Sequence, residues 1–381
     1  MFAVALFTTL TVSVPPADAD INKRAAELVA HLGDPSYRDR EKAARELLEI
    51  GYAARDAVLA GQKSSDTEIS DRCKKLYPAI WRHDLEKRVQ KFLDQPDGPI
   101  ADDLPGAARW IKITGDGKES RKLYAEMVKA DPETLLDIEL NPERLRQAYL
   151  DLVRNAYRRN LTRSTAPSST RSGVLDSEVL LFLFLGAAGD VRPMTSAGVS
   201  ASYYYQFLNA TYLNTQLADE ANKPMRRLYA AWLEKERYSL VLRRGIDTAA
   251  TNKVHECAPV LLKIVTDPTS LPTSKSAAIV GFGRIGTKDD LPALAEMLKD
   301  KSLAGAVAIN GEVWKVQVRD VALGAAVQLA GLNPDDFGLE HRHQATGLAL
   351  SSLANYAFAS DEKREAAHQK WKEWTEKNLK K

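Results

Sequence analysis

The chain has little cysteine: only Cys73 and Cys257 among 381 residues. That excludes a disulfide-stapled scaffold and a zinc site built on C-x-x-C pairs, since each needs more thiols. Two cysteines this far apart read as buried free thiols, small core hydrophobes rather than a bridge. Long apolar runs are also missing. The most apolar internal stretch, 179–189 (VLLFLFLGAAG), has 11 residues and is followed by Asp190. A spanning helix needs ~20, so a buried core helix is expected there. No segment alternates with period two for long, so strands are expected to be minor. An excess of one charge is absent too: 53 basic and 51 acidic residues leave a formal +2. Nucleic acid would call for a concentrated basic field. The run Arg154, Arg158, Arg159, Arg163 and the pairs Arg226-Arg227 and Arg243-Arg244 are therefore read as solvated faces, with no nucleic-acid partner. Sequence signatures of hydrolysis, redox chemistry and haem attachment (H-E-x-x-H, G-x-S-x-G, C-x-x-C, C-x-x-C-H) do not occur. No catalytic, cofactor-binding or metal-binding residue is assigned, and no enzyme is expected.

What is present is globular: 44% hydrophobic and 27% charged residues, enough to bury a large core. One pattern occurs twice. Ala43, Leu47, Ile50, Gly51 and Leu59 have the same spacing as Ala278, Phe282, Ile285, Gly286 and Leu294. Apolar residues at +4 and +7, glycine at +8 and an apolar residue at +16 spell an amphipathic helix, a glycine stop and a second helix. Recurring hairpins of this kind build stacked α-solenoids. Periodicity predicts helices over 23–32, 38–50 and 54–62, then one carrying Ile69, Cys73, Leu76 and Ile80 behind a Ser64-Ser65-Asp66 cap. Gly51 suits the left-handed position that closes a helix. After a Pro/Asp/Gly linker at 95–105, four helices are expected: around Trp110, around Tyr124, after Pro132, and from Pro142. Asp131-Pro132 and Asn141-Pro142 read as N-caps followed by proline at N1. A polar loop at 162–173 (TRSTAPSSTRSG) marks the best candidate boundary. Helical, aromatic-rich sequence follows over 176–244, and a charged amphipathic helix over 361–381 ends the chain.

The segment DPSYRDREKAARELLEIG with SSDTEISDRCKKL resembles HEAT-like repeats of exported bacterial proteins. SAAIVGFGRIGTKDDLPALAEMLKD is similar to a HEAT unit, and VQVRDVALGAAVQLAGLNPDDFGL resembles the C-terminal part of such proteins. The resemblance covers about 60 residues near the N-terminus and about 80 near the C-terminus. It implies helix pairs stacked into a curved rod that scaffolds or binds proteins, and it carries no catalytic residues. The expected fold is all-α: a signal peptide at 1–19, HEAT-like repeats at 20–94, an irregular helical middle at 95–161, the loop at 162–173, an aromatic-rich helical segment at 174–250, and HEAT-like repeats with a capping helix at 251–381. The leader rests on the apolar stretch 2–14 and on Ala17-Asp18-Ala19, small residues at −3 and −1 of a cleavage site; a basic n-region is missing. Export to the periplasm or beyond is the expected localisation, with no membrane contact other than export.

Several motifs admit more than one use. Gly281, Gly283 and Gly286 spell G-x-G-x-x-G, but a dinucleotide site needs a preceding strand and flanking βαβ units. The helical periodicity of 277–285 favours a hairpin stop instead. His341 and His343, beside Glu340, fall short of the three or four ligands of a zinc site and are read as a surface loop. His255, Glu256 and Cys257 are adjacent, poor geometry for one metal on a helix. Asp102-Asp103, Asp289-Asp290 and Asp335-Asp336 stand where helices start, as caps do. Tyr203, Tyr204, Tyr205, Phe207 and Tyr212 cluster within ten residues; three consecutive tyrosines cannot all face one core. Ala367, Trp371 and Trp374 make a short stripe on the last helix, expected to cap the final apolar face. Tyr204, Tyr205 and Trp374 are the candidate partner-binding residues. The expected function is a non-enzymatic scaffold for a protein partner. The alternatives are an enzyme, a lyase or hydrolase with convergent acids in the middle region and His255 or His341, or a small-molecule or polysaccharide binder using the tyrosines.

Overall fold

The computed structural model describes residues 16–95, 104–163, 173–189, 200–309, 311–339 and 353–379, with the side chains of 16–19 and 162–163 left aside. The expected leader and its cleavage site, Asp102-Asp103, most of the 162–173 loop, and Glu340, His341 and His343 lie outside these residues or those side chains. The described chain is mostly helical, with 18 α-helices and one two-stranded sheet, which establishes the all-α class. None of the described helices is long and apolar enough to cross a membrane. The chain divides into two compact units, residues 1–98 and 99–381.

In the first unit α1 (Pro16–His31) pairs with α2 (Tyr37–Ile50), and α3 (Arg55–Gly61) with α4 (Thr67–Arg82); α1 also packs on α3 and α2 on α4. α2 buries Ala43, Ala44 and Leu47 and leaves its charged face in water, as its 3.6-residue pattern requires. Gly51 has φ +67° and accepts the turn into a short 3₁₀ segment before α3; a side chain there would meet the imidazole of His83. Asp66 caps α4, its Oδ1 accepting from the backbone N–H of Glu68 and Ile69 at 2.9 and 3.3 Å. Cys73 and Ile80 are buried on α4, and α5 (Leu85–Asp94) completes the unit.

The second unit is organised differently, around two helices buried on nearly every side. The first is α10 (Asp176–Ala188), in which every residue from Val179 to Ala187 is buried. This is the core helix expected at 179–189. Around it pack α7 (Lys118–Ala130), α9 (Leu145–Arg163), α12 (Thr211–Ala218) and α13 (Lys223–Lys235), with α6 (Ala107–Thr114) against α13. The second is α16 (Pro272–Ile285), packed on α14 (Ser239–Thr251), α15 (Ala258–Thr266) and α17 (Val318–Leu329). Here the glycines of the G-x-G-x-x-G run have a packing use. A Cβ on Gly281 would sit 2.5 Å from Ile246 Cγ2, and one on Gly283 would sit 2.9 Å from the backbone Cα of Ala325. Glycine lets α14 and α17 approach that closely.

Three expectations need correction in this region. Gly286 is followed not by a second amphipathic α-helix but by 3₁₀ turns, Lys288–Leu294 and Met297–Lys299, because Pro292 lacks the N–H that an α-helical ladder requires. The hairpin of β1 (Leu303–Ile309) and β2 (Glu312–Gln317), antiparallel with Ala306 opposite Lys315, then interrupts the helical run. Asn310-Gly311 between two apolar stretches is the local signal for it. Finally, Asn141 forms no side-chain cap; its Nδ2 donates to Asp137 Oδ1 at 3.0 Å instead, whereas Asp131 does cap α8 (Pro132–Leu140) through Thr134 N. The last helix, α18 (Asp361–Asn378), packs on α17 and buries Ala367 and Trp371. Its Arg364 Nε donates to both oxygens of the fully buried Asp320 at 3.0 Å.

Candidate functional site

The tyrosine-rich segment separates into residues with different surroundings. α11 (Ala201–Leu208) carries Tyr203, Tyr204 and Tyr205. Tyr204 is fully buried, its ring 6.1 Å from Tyr149 and 6.3 Å from Phe182, so it presents nothing to a surface partner. Its selection as a partner-binding residue is therefore corrected: it faces the core, and Tyr203, stacked on Tyr157 at 3.9 Å, and Tyr205 flank it. Tyr205 is half-buried and donates to the Leu240 carbonyl at 3.4 Å. Trp374 stacks on Trp371 at 5.0 Å on α18. α11 packs chiefly on α9, α12 and α14 while α18 packs chiefly on α17, so the three chosen residues do not form one site.

The tyrosine that does line a depression is Tyr212, in the first turn of α12. An open cleft of about 850 Å³ lies between the C-terminal end of α7 and the N-terminal ends of α10 and α12. Glu126 and Lys129 come from α7, Leu175, Asp176 and Ser177 from the start of α10, and Thr211 with Tyr212 from α12. Local sequence explains the placement. Leu123, Met127 and Val128 anchor α7 in the core, leaving Glu126 and Lys129 on the outward face. The start of α10 is held by Glu178, whose Oε2 accepts from Leu175 N at 2.9 Å, while Leu175 itself is 58% exposed at the rim.

Tyr212 Oη donates to Glu126 Oε2 at 3.2 Å. The cleft walls remove water from the Glu126 carboxyl and push its pKa up; the Tyr212 hydrogen bond opposes this and nearby Asp176 adds to it. Burial, and then the neighbouring Glu126, likewise raise the Tyr212 phenol, which stays protonated as a donor. The cleft thus offers a carboxyl–phenol pair, a second carboxylate, the hydroxyls of Ser177 and Thr211, one lysine and an apolar rim. This is a hydrogen-bonding surface for a polar ligand or chain segment. The signal for Tyr212 was its place in the tyrosine cluster; Glu126, within an ordinary helical stretch, had none.

Other motifs have structural partners. The reading of Arg226 as part of a solvated face is corrected: it is fully buried, with Nε donating to Glu256 Oε2 at 2.8 Å and Nη1 to the Leu217 carbonyl at 2.8 Å. Arg159 pairs with Glu178 at 2.5 Å. His255 Nδ1 bonds the Ile285 carbonyl, Glu256 turns to Arg226, and Cys257 is fully buried, so the three adjacent groups diverge. Asp290 accepts from Thr287 N at 2.7 Å, the helix-start role expected of its pair, whereas at Asp335-Asp336 the cap is Asn333, whose Oδ1 accepts from Asp335 N at 3.2 Å, and the two acids occupy the first turn. No group of three or more His, Cys, Asp or Glu among the described residues is placed to hold a metal ion.

No family model matches this chain, and no curated protein matches it. Among solved structures, the chain is aligned with the crystal structure of an engineered protein from the Northeast Structural Genomics Consortium. That alignment covers 91% of this chain and 99% of the other at 12% identity, with a TM-score of 0.22.

Proposed function

We propose that the chain is an exported, non-enzymatic binding protein, a HEAT-like helical scaffold that holds a polar segment of a partner protein in the Tyr212 cleft. The observation that carries this reading is the Tyr212–Glu126 pair set in an open cleft of about 850 Å³ with an exposed apolar rim at Leu175. Such a cleft suits an extended segment, because fixed donors and acceptors set its register while apolar contact supplies affinity. Pairing of α1 with α2 and α3 with α4, one pair on the other, supports the repeat reading of the first unit.

The test places a photo-cross-linking amino acid at Tyr212 and, as a control, at Lys42 in the native cell envelope. One stoichiometric protein captured from position 212 and not from position 42 is the expected result; equal or no capture from both overturns the reading. Sequencing the N-terminus of the native protein tests export, with Asp20 expected as the first residue. A second reading, a small polar ligand such as an oligosaccharide, is favoured by the same carboxyl–phenol pair. It predicts saturable quenching of tyrosine fluorescence that Tyr212→Phe abolishes.

A further inference from the structure

A second cavity, of about 190 Å³, lies where the C-terminal ends of α13 and α15 meet the start of α14 and the 267–271 turn. At ~30 Å³ per water it has room for about six waters. Glu236 lines it with 7% of its surface exposed. Two backbone groups, Arg237 N at 2.8 Å and Tyr238 N at 2.7 Å, both donate to Oε1. Oε2 accepts no hydrogen bond among the described residues, and it is not one of the sealed-in polar atoms. A buried carboxylate with one oxygen anchored and the other unmatched is a costly arrangement that a donor in the cavity would relieve.

The other charged side chains on the wall have hydrogen-bond partners. Arg237 Nη1 donates to the carbonyls of Glu234 and Glu236 at 2.7 and 2.9 Å. Lys263 pairs with Glu234 at 2.6 Å. Asp267 Oδ1 accepts from Thr269 N and Oγ1 at 2.8 and 2.7 Å. An anion would face three carboxyl groups, Glu234, Glu236 and Asp267, against the two cations Arg237 and Lys263. A hard metal ion wants six or more oxygen ligands, and the three acids of this wall, Glu234, Glu236 and Asp267, are not placed to hold one together. The rest of the lining is apolar, from Leu242, Val260, Ile264 and Leu271, with hydroxyls at Ser239, Ser270 and Ser274.

We propose that this cavity is a binding site for a small alkylammonium compound, its charged nitrogen donating to Glu236 Oε2 and its hydrocarbon lying against Leu242, Val260 and Ile264. The site is separate from the Tyr212 cleft and does not depend on the function proposed for it. Burial pushes the Glu236 carboxyl up to about 7, the two backbone donors and Arg237 offsetting only part of the desolvation. A cation in the cavity supplies the missing compensation.

The experiment titrates the full chain with n-butylammonium chloride by calorimetry, with 1-butanol and sodium butyrate as neutral and anionic isosteres. Glu236→Gln keeps an acceptor for the two backbone N–H groups and removes the charge. Ser274→Phe occludes the cavity from a different element. Circular dichroism establishes that both variants fold. Saturable binding of the ammonium, weakened about tenfold or more in either variant as expected for loss of a charge-assisted bond, with both isosteres weaker, supports the proposal. It is overturned if the amine does not bind, if Glu236→Gln or Ser274→Phe binds it as well as the natural chain, or if 1-butanol binds equally well.

Discussion

Gly51 and Gly286 stand at the same place in the same pattern, eight residues after Ala43 and Ala278, and they have different backbones. Gly51 has a positive φ, +67°, but ψ −138°, outside the left-handed helical conformation expected of it, and leads through a 3₁₀ turn into the short helix α3. Gly286 is extended, with φ −71° and ψ 176°, and leads into the 3₁₀ run around Pro292. The helices before them differ as well. α2 buries only one face, whereas α16 is buried from Ala278 through Gly283. The two units also treat charge differently. In the first, Arg72 meets Glu41 and Glu68 where both acids are largely in water. In the second, Arg364–Asp320 and Arg226–Glu256 lie inside. One spacing pattern thus specifies a helix and its stop, while the number of helices packed around it decides which residues must be small and which charges must be paired.

The largest effect should come from the buried charge. Asp320→Ala leaves the buried Arg364 with only the exposed Asp361 and the Lys315 carbonyl as partners, and a loss of about 3 kcal/mol or more is expected in urea unfolding; an unchanged midpoint would mean that the buried pair contributes no more than a surface one. Next is a pH effect confined to the second unit. The folded chain holds Glu236 protonated up to about 7, whereas the unfolded chain releases that proton in the ordinary carboxylate range. Between these values the folded state binds more protons, so stability falls as pH rises and stays low above pH 7. Glu236→Gln removes the dependence, and its advantage over the natural chain should grow by up to about 3 kcal/mol from about pH 5 to about pH 8. A pH-independent difference would place the carboxyl in ordinary solvent.

Gly283→Val drives a side chain into the Ala325 backbone and should cost about 1–3 kcal/mol. Gly51→Ala forces an L-residue into a positive-φ conformation that glycine adopts far more readily and displaces His83, with a loss of about 1–2 kcal/mol. Equal tolerance at both positions would erase the distinction between the surface hairpin and the buried one. The smallest change is expected for Glu68→Gln on the exposed Arg72 network, about 0.5 kcal/mol or less.

Element existence was legible because helix periodicity is local. The 179–189 run, Asp66 as a cap and the helices around Trp110 and Tyr124 follow from side-chain spacing and end chemistry. The candidate site was less legible. Tyr204 and Tyr205 differ by one position, about 100° around a helix, and only the neighbours Tyr149 and Phe182 determine that Tyr204 is the buried one. Glu126 sits in unremarkable helical sequence and Glu236 just past the end of α13. Glu126 meets Tyr212 across 86 residues, and Glu236 gains its character from burial. What the sequence alone determined is the helical class, most helix starts and stops, and the buried nature of α10, all consequences of spacing within a few turns. The tertiary structure decided the conformation at Gly286, the partner of each buried charge, and which acids line cavities, because desolvation and pairing depend on groups that approach only after the chain has packed.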